Sequence, residues 1–97
     1  MEGSVYKKAV ETFGINSRID LCIEEMAELT QALCKYKRGL PHNVEEEVAD
    51  VEIMLEQLKL IFNSHMVEGY KYSKIERLKR TIKKVHGKWN IGLQIQK

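Results

Sequence analysis

Residues 24–28 read EEMAE and residues 46–50 read EEVAD, so carboxylates three positions apart recur in two separate segments of one short chain. On a helix, positions three apart point in neighbouring directions, so each pair, Glu25 with Glu28 and Glu47 with Asp50, can converge on one point. Four carboxylates facing one another repel, and desolvation adds to that cost unless a cation neutralises them. Hard oxygen donors without His or Cys select Mg²⁺, with Mn²⁺ as a substitute, over zinc. A di-iron bundle uses Glu-x-x-His pairs, whereas the third position after each Glu is Glu28 or Asp50 here. Glu24 is either a group behind the ligands or the base for a water. Glu46 completes a helix cap, and Glu45, Glu52 and Glu56 read as solvated.

Positioning these groups requires helices. The chain has a single proline, Pro41, and no alternating apolar pattern, so the expected fold is all-α, a bundle of about four helices. A first helix over about 4–13 ends at Gly14, a residue suited to the left-handed position after a helix. The second begins near Ser17, which has capping-box spacing with Asp20, and runs to about Arg38. Gly39 and Pro41 stop it. Asn43 then caps a third helix, with Glu46 at its third position, extending to about Phe62. Residues 63–69, NSHMVEG, read as a loop with room for helical turns before a fourth helix over about 70–86, and 87–97 form a tail.

Helical angles divide each acidic helix into two stripes. On the second, Ile19, Cys22, Ile23, Met26, Leu29, Thr30 and Leu33 form the expected core face, with Leu21, Glu25, Glu28 and Ala32 beside it. On the third, Val44, Val48, Val51, Leu55, Leu58 and Phe62 form the core face, with Glu47, Asp50, Met54 and Ile61 beside it. Apolar residues continue the acidic line in both helices, so that line is expected to face protein as well.

At 97 residues the chain suits one domain, 1–97, with a modest core that favours oligomerisation. Sixteen Lys and Arg against fourteen Asp and Glu leave a formal net charge of +2, which gives no overall field for nucleic acid. The bases do gather after residue 70. No apolar run approaches the roughly 20 residues that span a bilayer, and the N-terminus lacks a signal-peptide stretch. A cytoplasmic protein without a membrane partner is expected. Cys22 and Cys34, about 18 Å apart along one helix, read as reduced packing residues. His42, His65 and His86 read as surface groups, and Tyr70, Tyr72 and Trp89 as packing aromatics.

EEMAE followed by EEVAD, together with the later KIERLKR, resembles the MazG-like nucleoside triphosphate pyrophosphohydrolases of the all-α NTP pyrophosphatase superfamily. Their signature is EExxE, a spacer, then ExxD; the likeness covers about residues 18–80. It implies Mg²⁺-dependent hydrolysis of an NTP or dNTP to the monophosphate and pyrophosphate, in nucleotide pool control, by a homodimer or homotetramer. Carried over, Glu25, Glu28, Glu47 and Asp50 are the metal ligands, and Lys74 and Arg77 are basic residues near the phosphates. Tyr72 stands where some members have Asn. The competing expectation is a non-enzymatic module that uses the basic fourth helix to bind nucleic acid or an acidic protein. That reading leaves both acidic stripes unexplained.

Overall fold

The computed structural model describes residues 2–86. These form four helices, α1 (Glu2–Phe13), α2 (Ile15–Lys37), α3 (Val44–Ile61) and α4 (Ser64–His86), with no strand among the described residues. The tail over 87–97, including Trp89, lies outside them. The chain divides into two compact units, residues 1–63 and the segment from Ser64 onward. No described helix is long and apolar enough to cross a membrane.

The first unit holds α1, α2 and α3, with α2 against α3 as the principal pairing and α1 touching both. Residues 38–43 join α2 to α3, and a connection that short makes the pair an antiparallel hairpin. The end of α2 is closed by its backbone. Gly39 N–H donates to the Tyr36 carbonyl at 3.0 Å and Leu40 N–H to the Lys35 carbonyl at 3.0 Å. This is a Schellman closure with Gly39 at φ 71°, a conformation that disfavours any side chain. Lys35 and Lys37 lie in the last turn of α2, and Glu45, Glu46 and Glu47 in the first turn of α3, each matching the local helix dipole.

Three boundaries differ from the sequence expectation. Ser17 does not cap α2; the helix starts at Ile15, its N-cap position is Gly14, and no side chain caps it. Gly14, at φ 91°, turns the chain directly from α1 into α2 while its N–H still donates to the Val10 carbonyl at 2.9 Å. Asn43 does occupy the N-cap position of α3, yet its side chain makes no capping bond. The Val44 N–H instead donates to His42 Nδ1 at 3.2 Å. Residues 64–69, expected as loop, are the first turns of α4, because Val67 continues the apolar periodicity of Ile75, Leu78 and Ile82 and no proline intervenes.

The largest departure concerns which stripe packs. Cys22, Ala32, Val51 and Met54 are the buried apolar residues, joined by the buried polar Glu47 and Gln57. Ile23, Met26, Leu33, Val48 and Leu55, expected in the core, are exposed. Cys22 and Val51 are buried as the expected core stripes had them, and Ala32, Glu47 and Met54 are buried from the acidic line beside those stripes, which was also expected to face protein. Small side chains at Cys22 and Ala32 allow the close approach that ridge-and-groove packing requires. Cys34 is exposed, not packed; both cysteines are free. In the second unit α4 is amphipathic but buries none of its residues, and Tyr70 and Tyr72 are exposed.

Because Met54 is 3 % exposed at the centre of this contact, Met54→Ala should destabilise the first unit by about 2–4 kcal/mol through lost burial and a residual cavity. Gln31→Ala, on the exposed side of α2, should change stability by less than about 0.5 kcal/mol. Urea denaturation followed by circular dichroism compares the two.

Candidate metal centre

The packed hairpin brings acid to acid. Carboxylate oxygens of Glu25, Glu47 and Asp50 lie within 4.8 Å of one another, one residue from α2 meeting two from the first two turns of α3. Glu28, the fourth member of the expected set, is exposed one turn along α2 and shares a side-chain hydrogen bond with Glu25. The structure thus brings three of the four carboxylates into one cluster and places the fourth at its edge. Glu24 is exposed on α2.

Glu47 is the most enclosed of the group, at 9 % exposure. Its Oε2 accepts a hydrogen bond from Asn43 Nδ2 at 2.9 Å, while its Oε1 is buried and has no hydrogen-bond partner. A buried carboxylate oxygen left unpartnered costs more than a kilocalorie, of order ~1–3 kcal/mol or above for a charged group. A cation at the convergence of the three carboxylates would offset their mutual repulsion. The donor set, all carboxylate oxygen, fits Mg²⁺ or Mn²⁺.

The electrostatics point the same way. Burial first, then the hydrogen bond shared with Glu28, then the negative charges of Asp50, Glu28 and Glu47 push the Glu25 carboxyl up to about 7. Without a cation, and below about pH 7, a proton at Glu25 takes the place of one negative charge. One turn earlier, burial and the charge of Glu25 push the Cys22 thiol above its ordinary value, so this cysteine is an inert packing group.

Sequence reasoning missed Asn43 and His42. Asn43 appeared only as a cap, but its carboxamide spans Glu46 Oε1 at 3.3 Å and Glu47 Oε2 at 2.9 Å and so fixes the buried carboxylate. His42 read as an isolated surface group. It caps α3 through Nδ1 and stands edge-on to the Tyr36 ring, with centroids 5.4 Å apart. The available signal was their position immediately before the acidic turn. Two further buried polar atoms lack partners, Arg18 Nε and Gln57 Oε1; the Arg18 guanidinium lies 4.5 Å from the centre of the Phe13 ring.

Lys74 and Arg77 belong to the second unit and are exposed on α4. They line different surfaces of that helix. Lys74 sits among Val67, Tyr70, Ile75 and Leu78, within the apolar arc, and Arg77 sits with Arg80, Lys83 and Lys84. Comparison with protein-family models, curated proteins and solved structures finds no match for the chain.

The raised Glu25 value sets a pH dependence. Between its ordinary value near 4.5 and about 7, Glu25 holds a proton in the folded metal-free chain but not in the unfolded one. Its contribution to stability is therefore fully present below about 4.5 and is lost as pH rises through about 7. With chelator present, Glu25→Gln should abolish this part of the slope. Added Mg²⁺ should raise Tm more at pH 8 than at pH 5, where the proton competes with the ion. Thermal melts across pH, with and without the ion, measure both.

Proposed function

We propose that the chain is a Mg²⁺-dependent nucleoside triphosphate pyrophosphohydrolase of the MazG-like kind, acting as a homodimer or homotetramer. The observation that supports this reading best is the three-carboxylate cluster contributed by both signature segments, in which Glu47 is buried and has one oxygen without a partner. Two acidic motifs brought together at a helix contact, with no Lys or Arg placed against them by any ion pair described, form a site built for a cation rather than for a salt bridge.

Glu25, Glu47 and Asp50 would hold the ion, with Glu28 beside Glu25. A bound divalent cation supplies charge neutralisation for the triphosphate and polarises its phosphorus–oxygen bonds. Asn43 keeps Glu47 aimed into the cluster through its hydrogen bond to the second oxygen. Glu24, exposed next to Glu25, is the group assigned to accept a proton from the attacking water. The family resemblance assigns phosphate contacts to Lys74 and Arg77, on the second unit, and the substitutions below test that assignment. Water attack at the α-phosphorus breaks the α–β anhydride bond and releases pyrophosphate.

A panel of nucleoside triphosphates with pyrophosphate detection tests the activity directly. Glu47→Gln and Asp50→Asn should each lower kcat/KM at limiting Mg²⁺ by at least about 100-fold, or roughly 2.7 kcal/mol, without loss of helicity. Hydrolysis in ¹⁸O-water should place the label in the monophosphate; label confined to pyrophosphate or orthophosphate would mean that another bond is cut.

A second reading draws on one observation of its own, the exposed basic surface formed by Arg77, Arg80, Lys83 and Lys84 on α4. On that reading α4 binds nucleic acid or an acidic protein and no hydrolysis occurs. Alanine substitutions separate the two. If the hydrolase reading holds, Lys74→Ala and Arg77→Ala lower kcat/KM by about ten-fold or more, while Lys83→Ala and Lys84→Ala change it little. The binding reading expects all four to weaken a salt-sensitive affinity by similar steps and none to alter turnover.

A further inference from the structure

An uncommon conformation opens α3 beside the carboxylate cluster. The first backbone N–H groups of a helix have no partner within it, and an N-cap Asn ordinarily takes β-region angles from which its side-chain oxygen accepts the second or third of them. Asn43 holds that position at φ −133° and ψ 46°, short of the β region, and makes no such bond. Its carboxamide faces the acids instead. Nδ2 donates to Glu46 Oε1 at 3.3 Å and to Glu47 Oε2 at 2.9 Å.

His42 accounts for the angle. Its Nδ1 accepts the Val44 N–H at 3.2 Å, and a side chain that accepts the N–H two residues ahead closes the kind of turn that Asn and Asp make as Asx-turns. Asn43 is the residue enclosed, so the turn limits its ψ. The imidazole is braced from α2. It meets the Tyr36 ring edge-on, with centroids 5.4 Å apart and planes at 85°, and the Tyr36 carbonyl accepts the Gly39 N–H at 3.0 Å where that helix ends. Tyr36, His42 and Asn43 are all exposed. They add little to the core, and their combined effect is on where the Asn43 amide points.

Resting on the reading of the carboxylate cluster as a divalent-cation site, we propose that His42 is a positioning residue for Glu47, acting through Asn43. With the Val44 N–H taken by the imidazole, Asn43 stays bent and its amide is directed to Glu47, the most enclosed of the three clustered carboxylates. Without the imidazole, Asn43 relaxes to the ordinary cap, its oxygen turns to the backbone N–H of Glu45 or Glu46, and Glu47 loses its donor. A group that orients a metal-binding carboxylate through its second oxygen commonly changes metal affinity by about 10–100-fold when removed. A cap that acted only on the stability of α3 would leave the affinity of the folded chain alone.

Two measurements on the full chain test this, calorimetric titration with Mg²⁺ and the NMR resonance of the Asn43 side-chain amide with chelator present. His42→Ala should weaken Mg²⁺ binding about ten-fold and move the Asn43 amide protons toward the positions of a carboxamide in water. His42→Asn, which keeps an acceptor for the Val44 N–H, should restore both. In an Asn43→Ala background, itself weaker than wild type by about ten-fold or more, His42→Ala should cost nothing further, since the intermediary is already gone. Additive losses in the double variant overturn the proposal, as does an Asn43 amide resonance that His42→Ala leaves in place. The spectrum in chelator reads the relay without the ion. A wild-type chain that binds no Mg²⁺ but shows the resonance shift therefore overturns the cation reading and leaves the coupling of His42 to Glu47 standing.

Discussion

The meeting of Glu25 with Glu47 and Asp50 across the α2–α3 contact is the constraint around which the first unit is arranged. Helices that pack through carboxylates cannot rely on that face alone for cohesion, and the neighbouring positions answer for it. Cys22 and Ala32 admit close approach on one side, and Val51 and Met54 fill the other. Asn43 donates to Glu47 from the chain just before α3, and the proton retained on Glu25 reduces the charge. Each of these serves to make a costly arrangement persist. That persistence would suit the proposed cation-binding role, because carboxylates already held in place lose little freedom on binding.

Much of this was legible in the sequence, and the successes share a physical origin. Carboxylates at i and i+3 inside apolar runs announced that acid would face protein, since helical periodicity depends only on local geometry. Gly39 announced the end of α2 because few residues other than glycine accept its backbone conformation. The four helices followed from the same local rules.

The failures were non-local. Periodicity distinguishes two faces of a helix but does not say which face meets the partner within the chain, and the more apolar stripe was the natural choice. Only part of that stripe is buried, Cys22 on α2 and Val51 on α3, while Ala32 and Met54 from the neighbouring line join them and Ile23, Met26 and Leu33 lie outside. The capping role expected of Asn43 went to His42 for a similar reason. Asn is a good cap anywhere, but beside Glu47 its carboxamide has a charged acceptor, and the imidazole of His42 took the Val44 N–H instead. A residue-by-residue preference could not rank those two outcomes. For Lys74 and Arg77 the sequence offered only spacing, and helical spacing alone did not separate the apolar arc around Lys74 from the basic surface around Arg77.

The shortness of the α2–α3 connection also bears on how the chain reaches its folded state. Closing six residues costs little loop entropy, and contacts so near in sequence form early in folding. The hairpin would then belong to the transition state, and the repulsion among Glu25, Glu47 and Asp50 would be met on the way up the barrier, not after it. In that case a divalent ion or a neutralising substitution speeds the folding limb of the chevron and leaves the unfolding limb nearly still. Stopped-flow refolding of Asp50→Asn tests this; a change confined to the unfolding limb would place the acid cluster after the barrier.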